Sequence, residues 1–137
     1  MKKFEYKVSE ESVNGMVVQI VMVEGYLDSS TFDKLQDALQ TLIDDKQFYI
    51  IVEFGQLNYI SSAGLGVLMG MLKEVRQNGG DLKLANMSSK VRNLFDMLGF
   101  SRLIRIYADP EEAKLAFVKD KNLQATAPES PRPEDDY

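Results

Sequence analysis

Two adjacent hydroxyls, Ser61 and Ser62, followed by Ala63-Gly64-Leu65-Gly66, are the residues of this 137-residue chain whose type and spacing best suit chemistry. They fall where a strand-side loop gives way to a helical apolar stripe. A helix start offers unpaired backbone N–H groups and the positive end of the helix dipole, so a phosphate on either serine is well placed electrostatically. The small neighbours leave room for another protein's active site to reach it. Plain capping is the competing account, because Ser is a favoured N-cap and small residues let a helix pack closely. The segment is not a phosphate-binding loop: it lacks GxxxxGK[ST], and the first lysine after it is Lys73.

Other chemistry is narrowed by what is missing. The chain has no Cys and no His, which excludes disulfides, thiolate nucleophiles or metal sites, and every Ser-His triad. A net charge of -5 argues against nucleic-acid or anionic-membrane binding, which draws on a basic face. The carboxylate runs Glu10-Glu11, Asp44-Asp45, Glu111-Glu112 and Glu134-Asp135-Asp136 fall at turns, helix ends and the C-terminal stretch. They read as solvated charge, since a metal needs ligands converging from separate elements. No cofactor and no metal are expected, and the composition argues against a hydrolase. No apolar run follows Met1-Lys2-Lys3 as in a signal peptide, and no stretch approaches the roughly 18 apolar residues of a membrane span. The expected location is the cytoplasm, with no direct membrane insertion.

The elements that must position the serines follow from periodicity. Phe4, Tyr6 and Val8 alternate as in a half-buried strand. Asn14-Gly15 is a hairpin signal before the β-branched run 17–23, so these two strands pair antiparallel. Asp28, Ser29 and Ser30 offer N-caps for a helix carrying Phe32, Leu35, Leu39, Leu42 and Ile43. Residues 48–54 form a continuous apolar strand of the doubly covered kind. A second helix carries Leu65, Leu68, Met69, Leu72 and Val75 and ends at Asn78-Gly79-Gly80. Leu82 and Leu84 mark a short strand, and Val91, Leu94, Phe95 and Leu98 a third helix stopped at Gly99. A last strand is expected over 103–107. Asp109-Pro110-Glu111-Glu112 then reads as N-cap, first-position proline and acidic first turn of a fourth helix reaching about Val118. The order β-β-α-β-α-β-α-β-α predicts a single α/β domain, a mainly parallel central sheet with an antiparallel N-terminal hairpin strand. That domain spans 1–119; the acidic, proline-containing stretch 120–137 is expected to be a disordered tail.

Three stretches carry a resemblance. Gly25-Tyr26-Leu27-Asp28, the junction Tyr59-Ile60-Ser61-Ser62-Ala63-Gly64-Leu65, and Val91-x-x-Leu94-Phe95-x-x-x-Gly99-Phe100 resemble the signature stretches of the STAS domain, in order and spacing, over about 4–118. The chain is most similar to bacterial anti-sigma factor antagonists. The resemblance implies a switch protein, not an enzyme, whose unphosphorylated form binds an anti-sigma factor with serine kinase activity. Phosphorylation of a serine at the start of the second helix ends the interaction, and a PP2C-type phosphatase resets it. On this alignment the phosphoserine falls on Ser62; Ser61 stands where relatives often have Asp and is the second candidate. Glu53 and Gly55 stand where relatives often have Asp and Ser.

A partner surface follows from the same placement. Asp28 matches the family's acidic residue after the second strand and is expected beside the serines, unless it only caps a helix. Ser61, Ala63 and Gly64 flank the phosphorylation site. On the second helix Gly66, Val67, Gly70, Glu74 and Gln77 are expected on an exposed face, with Met71 at its edge. Two glycines there cost about 1 kcal/mol each against Ala, which makes sense if a partner approaches closely or if the helix packs tightly within the domain. A non-switching STAS scaffold or soluble subunit of a transport or signalling complex is the alternative. A small nucleotide-binding enzyme is disfavoured by the missing His, Cys and phosphate loop.

Overall fold

The computed structural model describes residues 3–126, with side chains as far as Asn122. β1 (Phe4–Val13) and β2 (Met16–Leu27) pair antiparallel about Asn14-Gly15, both at positive φ as a tight two-residue hairpin turn demands. There follow α1 (Phe32–Asp44), β3 (Tyr49–Ile60), α2 (Ser62–Gln77), β4 (Asp81–Ala85), α3 (Ser89–Met97), a 3₁₀ turn over Phe100–Arg102, β5 (Ile106–Tyr107) and α4 (Pro110–Thr126). The five strands lie in the order β1-β2-β3-β4-β5, and β2 to β5 are parallel.

Each parallel connection steps the same way across the sheet, and right-handed crossovers of that kind leave their helices on one face. Leu35 and Leu39 of α1, Leu65, Leu68 and Leu72 of α2, and Val91 and Phe95 of α3 accordingly share one core with Val21, Val52 and Leu84. The other face is covered by α4, whose Ala113 and Phe117 pack with Val18, Ile20, Ile51 and Ala85. Ile50 and Val52 serve the first core and Ile51 the second, which is why this stretch shows no alternation. At the start of α4, Asp109 Oδ1 accepts from Glu112 N at 2.8 Å, the N-cap expected of that sequence, and Glu112 Oε1 accepts from Ala108 N at 3.2 Å, one residue before the cap.

Several boundaries differ from the sequence expectation. β1 runs on to Val13 and β2 to Leu27. β3 continues past 54 to Ile60, because after two register shifts its second half still pairs with the end of β2, Tyr26 with Tyr59 and Leu27 with Ile60. The strand expected over 103–107 shrinks to Ile106–Tyr107. Leu103 N closes the 3₁₀ turn on Phe100 O, its carbonyl accepts from Arg76 Nη1 at 3.1 Å, and Ile104 is buried in the core beneath the first three helices. The fourth helix extends to Thr126, so residues 120–126 are helix where a tail was expected. Asp120 is held there by buried Lys83 of β4. The rest of that expected tail, 127–137, lies outside the described residues.

A candidate phosphorylation and partner-binding site

β2 and β3 end together. Leu27 is aligned with Ile60, and Ser61 N donates to Leu27 O at 2.9 Å. In an open parallel sheet, sites form in the loops that leave the carboxyl ends of the strands. Here those loops are the turn that starts at Asp28 and the Ser61-Ser62 junction, so the topology brings Asp28 beside the two serines as the sequence suggested.

The Asp28 turn is built differently from the expected cap. The residue before α1 is Thr31, and its side chain makes no capping bond to the helix. Its Oγ1 instead donates to Tyr26 O at 2.7 Å and accepts from Asp28 N at 2.9 Å. Asp28 Oδ1 accepts from both Ser30 N at 2.9 Å and Ser30 Oγ at 2.7 Å. Asp28 therefore fixes the shape of a partly exposed loop at the site, and Thr31, unremarked in the sequence, is its buried anchor.

The two serines have separate roles. Ser61 is the extended N-cap of α2, with φ -98° and ψ 174°; its Oγ accepts from Gly64 N at 3.4 Å, and its carbonyl accepts from Leu65 N at 3.0 Å. Ser61 is half-buried. Ser62 is the first helical residue and exposed, and among the described residues its hydroxyl has no hydrogen-bond partner. Ala63 is half-buried. Gly64, expected in the partner surface, is buried instead: a Cβ there would lie 2.8 Å from Leu27 Cγ, so this glycine lets α2 sit down on the end of β2.

Along α2, Ser62, Gly66 and Gly70 recur every four residues and therefore stack on one side of the helix. All three are exposed, with exposed Lys73 and Gln77 on the same side and half-buried Glu74 at its edge. A Cβ on Gly66 or Gly70 would meet nothing within 4 Å, so packing inside the domain does not require either glycine. Val67 and Met71 do not belong to this face. They are 7% and 8% exposed and part of the core that holds the α1 stripe, since residues 67 and 71 turn away from the Ser62 side. Met69, expected in the core stripe, is half-buried at its margin.

The remaining signature residues have structural roles. Glu53 accepts from Gly55 N at 3.1 Å and from the Asn86 side chain, bracing the middle of β3 against the end of β4. Phe95 packs edge-on to Phe54, and Gly99, at φ 78°, turns the chain out of α3 into the 3₁₀ turn. Among the described residues no helix is long and apolar enough to cross a membrane, and no group of acidic side chains is arranged to hold a metal ion.

This fold, with an exposed serine opening the second helix, defines a class. The STAS domain family model matches residues 10–113, and the chain belongs to that family. BtrV of Bordetella bronchiseptica, named as a candidate anti-sigma factor antagonist, is 31% identical over 111 residues, covering 81% of this chain and 94% of its own. The anti-sigma F factor antagonist of Paenibacillus polymyxa is 32% identical over 91 residues, 66% of this chain and 78% of its own. Among solved structures, the Bacillus anti-sigma factor antagonist SpoIIAA in its unphosphorylated form superposes with a TM-score of 0.66 at 25% identity, covering 83% of this chain and 97% of that one.

Proposed function

We propose that this protein is an anti-sigma factor antagonist that works by partner switching in the cytoplasm. The observation that carries the reading is the division of labour at the start of α2, where Ser61 is spent on the cap and Ser62 is left exposed on a strip of glycines. Unphosphorylated, that strip presents a small neutral surface to an anti-sigma factor with serine kinase activity. Phosphorylation of Ser62 adds about -1.5 to -2 charges at the centre of the contact, and a cost of about 3 kcal/mol suffices to weaken binding more than a hundredfold. A PP2C-type phosphatase resets the switch.

Two further observations support the reading. Residues near Ser62 leave it open to a kinase, and the helix N-terminus tolerates the added charge, so the phosphorylated domain stays folded. SpoIIAA, to which the chain is similar, has also been solved in a phosphorylated form. The test is transfer of phosphate from ATP by the kinase partner encoded in the same genome, with wild type, Ser61→Ala and Ser62→Ala as acceptors. Labelling of wild type and Ser61→Ala but not Ser62→Ala is expected. No labelling of any of the three favours a STAS scaffold that does not switch.

A further inference from the structure

At the opposite end of the sheet from Ser62, where β5 is too short to cover the first half of β4, a groove of about 810 Å³ opens. Its rim draws basic side chains from five separate places: Arg76 near the end of α2, Arg92 of α3, Arg102 of the 3₁₀ turn, Arg105 before β5 and Lys121 of α4. The chain as a whole has 16 basic against 21 acidic residues, so this clustering runs against its overall charge.

The acids in the groove do not neutralise it. Asp81 and Asp120 are the carboxylates in its wall, and both are already engaged. Asp81 accepts from Arg76 Nε, Leu82 N and Lys83 Nζ, each at 2.9 Å, and Asp120 accepts from Lys83 Nζ at 2.8 Å. Arg92 is paired with Asp96 on its own helix at 3.2 Å. Arg102, Arg105 and Lys121 are exposed and have no acidic partner among the described residues. Guanidinium groups offer paired N–H donors that match the oxygens of phosphate and carboxylate. The volume lies within the usual range for small-molecule sites and exceeds what one phosphate fills.

The geometry points to a binding site for a small molecule carrying two or more phosphate or carboxylate groups, with Arg102 and Arg105 as its principal contacts. This site is separate from the Ser62 surface and does not depend on how that surface is used.

Pyrophosphate titrated into the full chain, followed by calorimetry, tests it. Saturable binding is expected for wild type and for Lys90→Ala, which removes an exposed charge that does not line the groove. The double variant Arg102→Ala/Arg105→Ala alters two exposed side chains and is expected to bind at least fivefold more weakly, with an unchanged circular dichroism spectrum. A smaller loss in the double variant, an equal loss in Lys90→Ala, or no saturable binding by wild type in the low-millimolar range overturns the proposal.

Discussion

Lys83 Nζ of β4 donates to Asp120 Oδ2 of α4 at 2.8 Å from inside the second core. The lysine side chain is fully buried, lies 4.6 Å from the centre of the Phe117 ring, and also donates to Asp81 at 2.9 Å. Nothing in the sequence pattern singles it out. A buried lysine is tolerated only when paired, and the pair here joins the last helix to the sheet.

Removing one partner is expected to cost more than removing the lysine. Asp120→Ala leaves Lys83 buried with a single carboxylate; because the Asp120 side chain is 44% exposed, the loss is discounted to about 1–2 kcal/mol. Lys83→Met keeps the stem against the Phe117 ring, leaves Asp81 paired with Arg76 and frees Asp120 to hydrate, and its cost is expected within about 1 kcal/mol. Urea midpoints decide the order. A larger loss for Lys83→Met than for Asp120→Ala shows that the ion pair itself is strongly stabilising.

The same group gives a pH dependence. Burial works to lower the Lys83 pKa, but Asp120 and Asp81 outweigh it and the net shift is upward from the ordinary 10.5. A pKa raised on folding contributes stability that is fully present below the unfolded value and is lost as pH rises through the folded one. Wild type is therefore expected to lose melting temperature above about pH 10.5 more steeply than Lys83→Met, with the two curves parallel from pH 6 to 9. Parallel curves up to pH 11.5 contradict the assignment.

Gly70 separates folding from binding. With open space around its Cβ position, Gly70→Ala is expected to stabilise the domain by about 1 kcal/mol, read as a higher melting temperature. Gly70→Glu is expected to fold at least as well as wild type but to bind the anti-sigma partner about tenfold more weakly, because a long anion would stand on the proposed partner surface. Undiminished binding by Gly70→Glu places the interface elsewhere.

The Asn14-Gly15 turn and the Leu65-to-Val75 stripe made the element order and sheet type legible; Phe4, Tyr6 and Val8 do mark a strand, but not a half-buried one, since Phe4 is buried while Tyr6 and Val8 are exposed. The exit of the Asp28 turn and the Ser61-Ser62 junction at one end of the sheet was legible too, because parallel strands deliver their exits to one end. The side of α2 that Val67 and Met71 occupy was not legible: an apolar residue at the boundary of a helical face is assigned by what packs beside it, here the α1 core. The short β5 was hidden too, since Leu103 is a strand-forming residue whose backbone is drawn off by the 3₁₀ turn and by Arg76, so that pairing with β4 starts only at Arg105 O, which accepts from Leu84 N. The end of α4 depended on a contact 37 residues away in sequence, the Lys83–Asp120 pair, which no local pattern carries.

Ser61 and Ser62 provide the sharpest test, because substitutions at neighbouring positions are expected to act on different properties. Ser61→Ala removes the cap of α2 and is expected to cost about 0.5–1 kcal/mol, the low end of the range because the bond to Gly64 N is long at 3.4 Å. It should still accept phosphate. Ser62→Ala removes an exposed hydroxyl with no hydrogen-bond partner among the described residues, so its stability is expected to match wild type, while phosphate incorporation is lost. Ser62→Asp puts a carboxylate at the first helical position, where the dipole favours it by about 0.3–1 kcal/mol, so the melting temperature is expected to hold or rise. If Ser62 faces the partner as proposed, the same charge is expected to lower binding about tenfold, roughly 1.4 kcal/mol; the effect stops short of full release because Asp has less charge and fewer acceptor oxygens than phosphoserine. Melting curves and partner titrations on the three variants separate the roles. If Ser62→Ala melts well below wild type while Ser61→Ala does not, the cap belongs to Ser62. If Ser62→Asp binds the partner as tightly as wild type, charge at this position does not operate the switch.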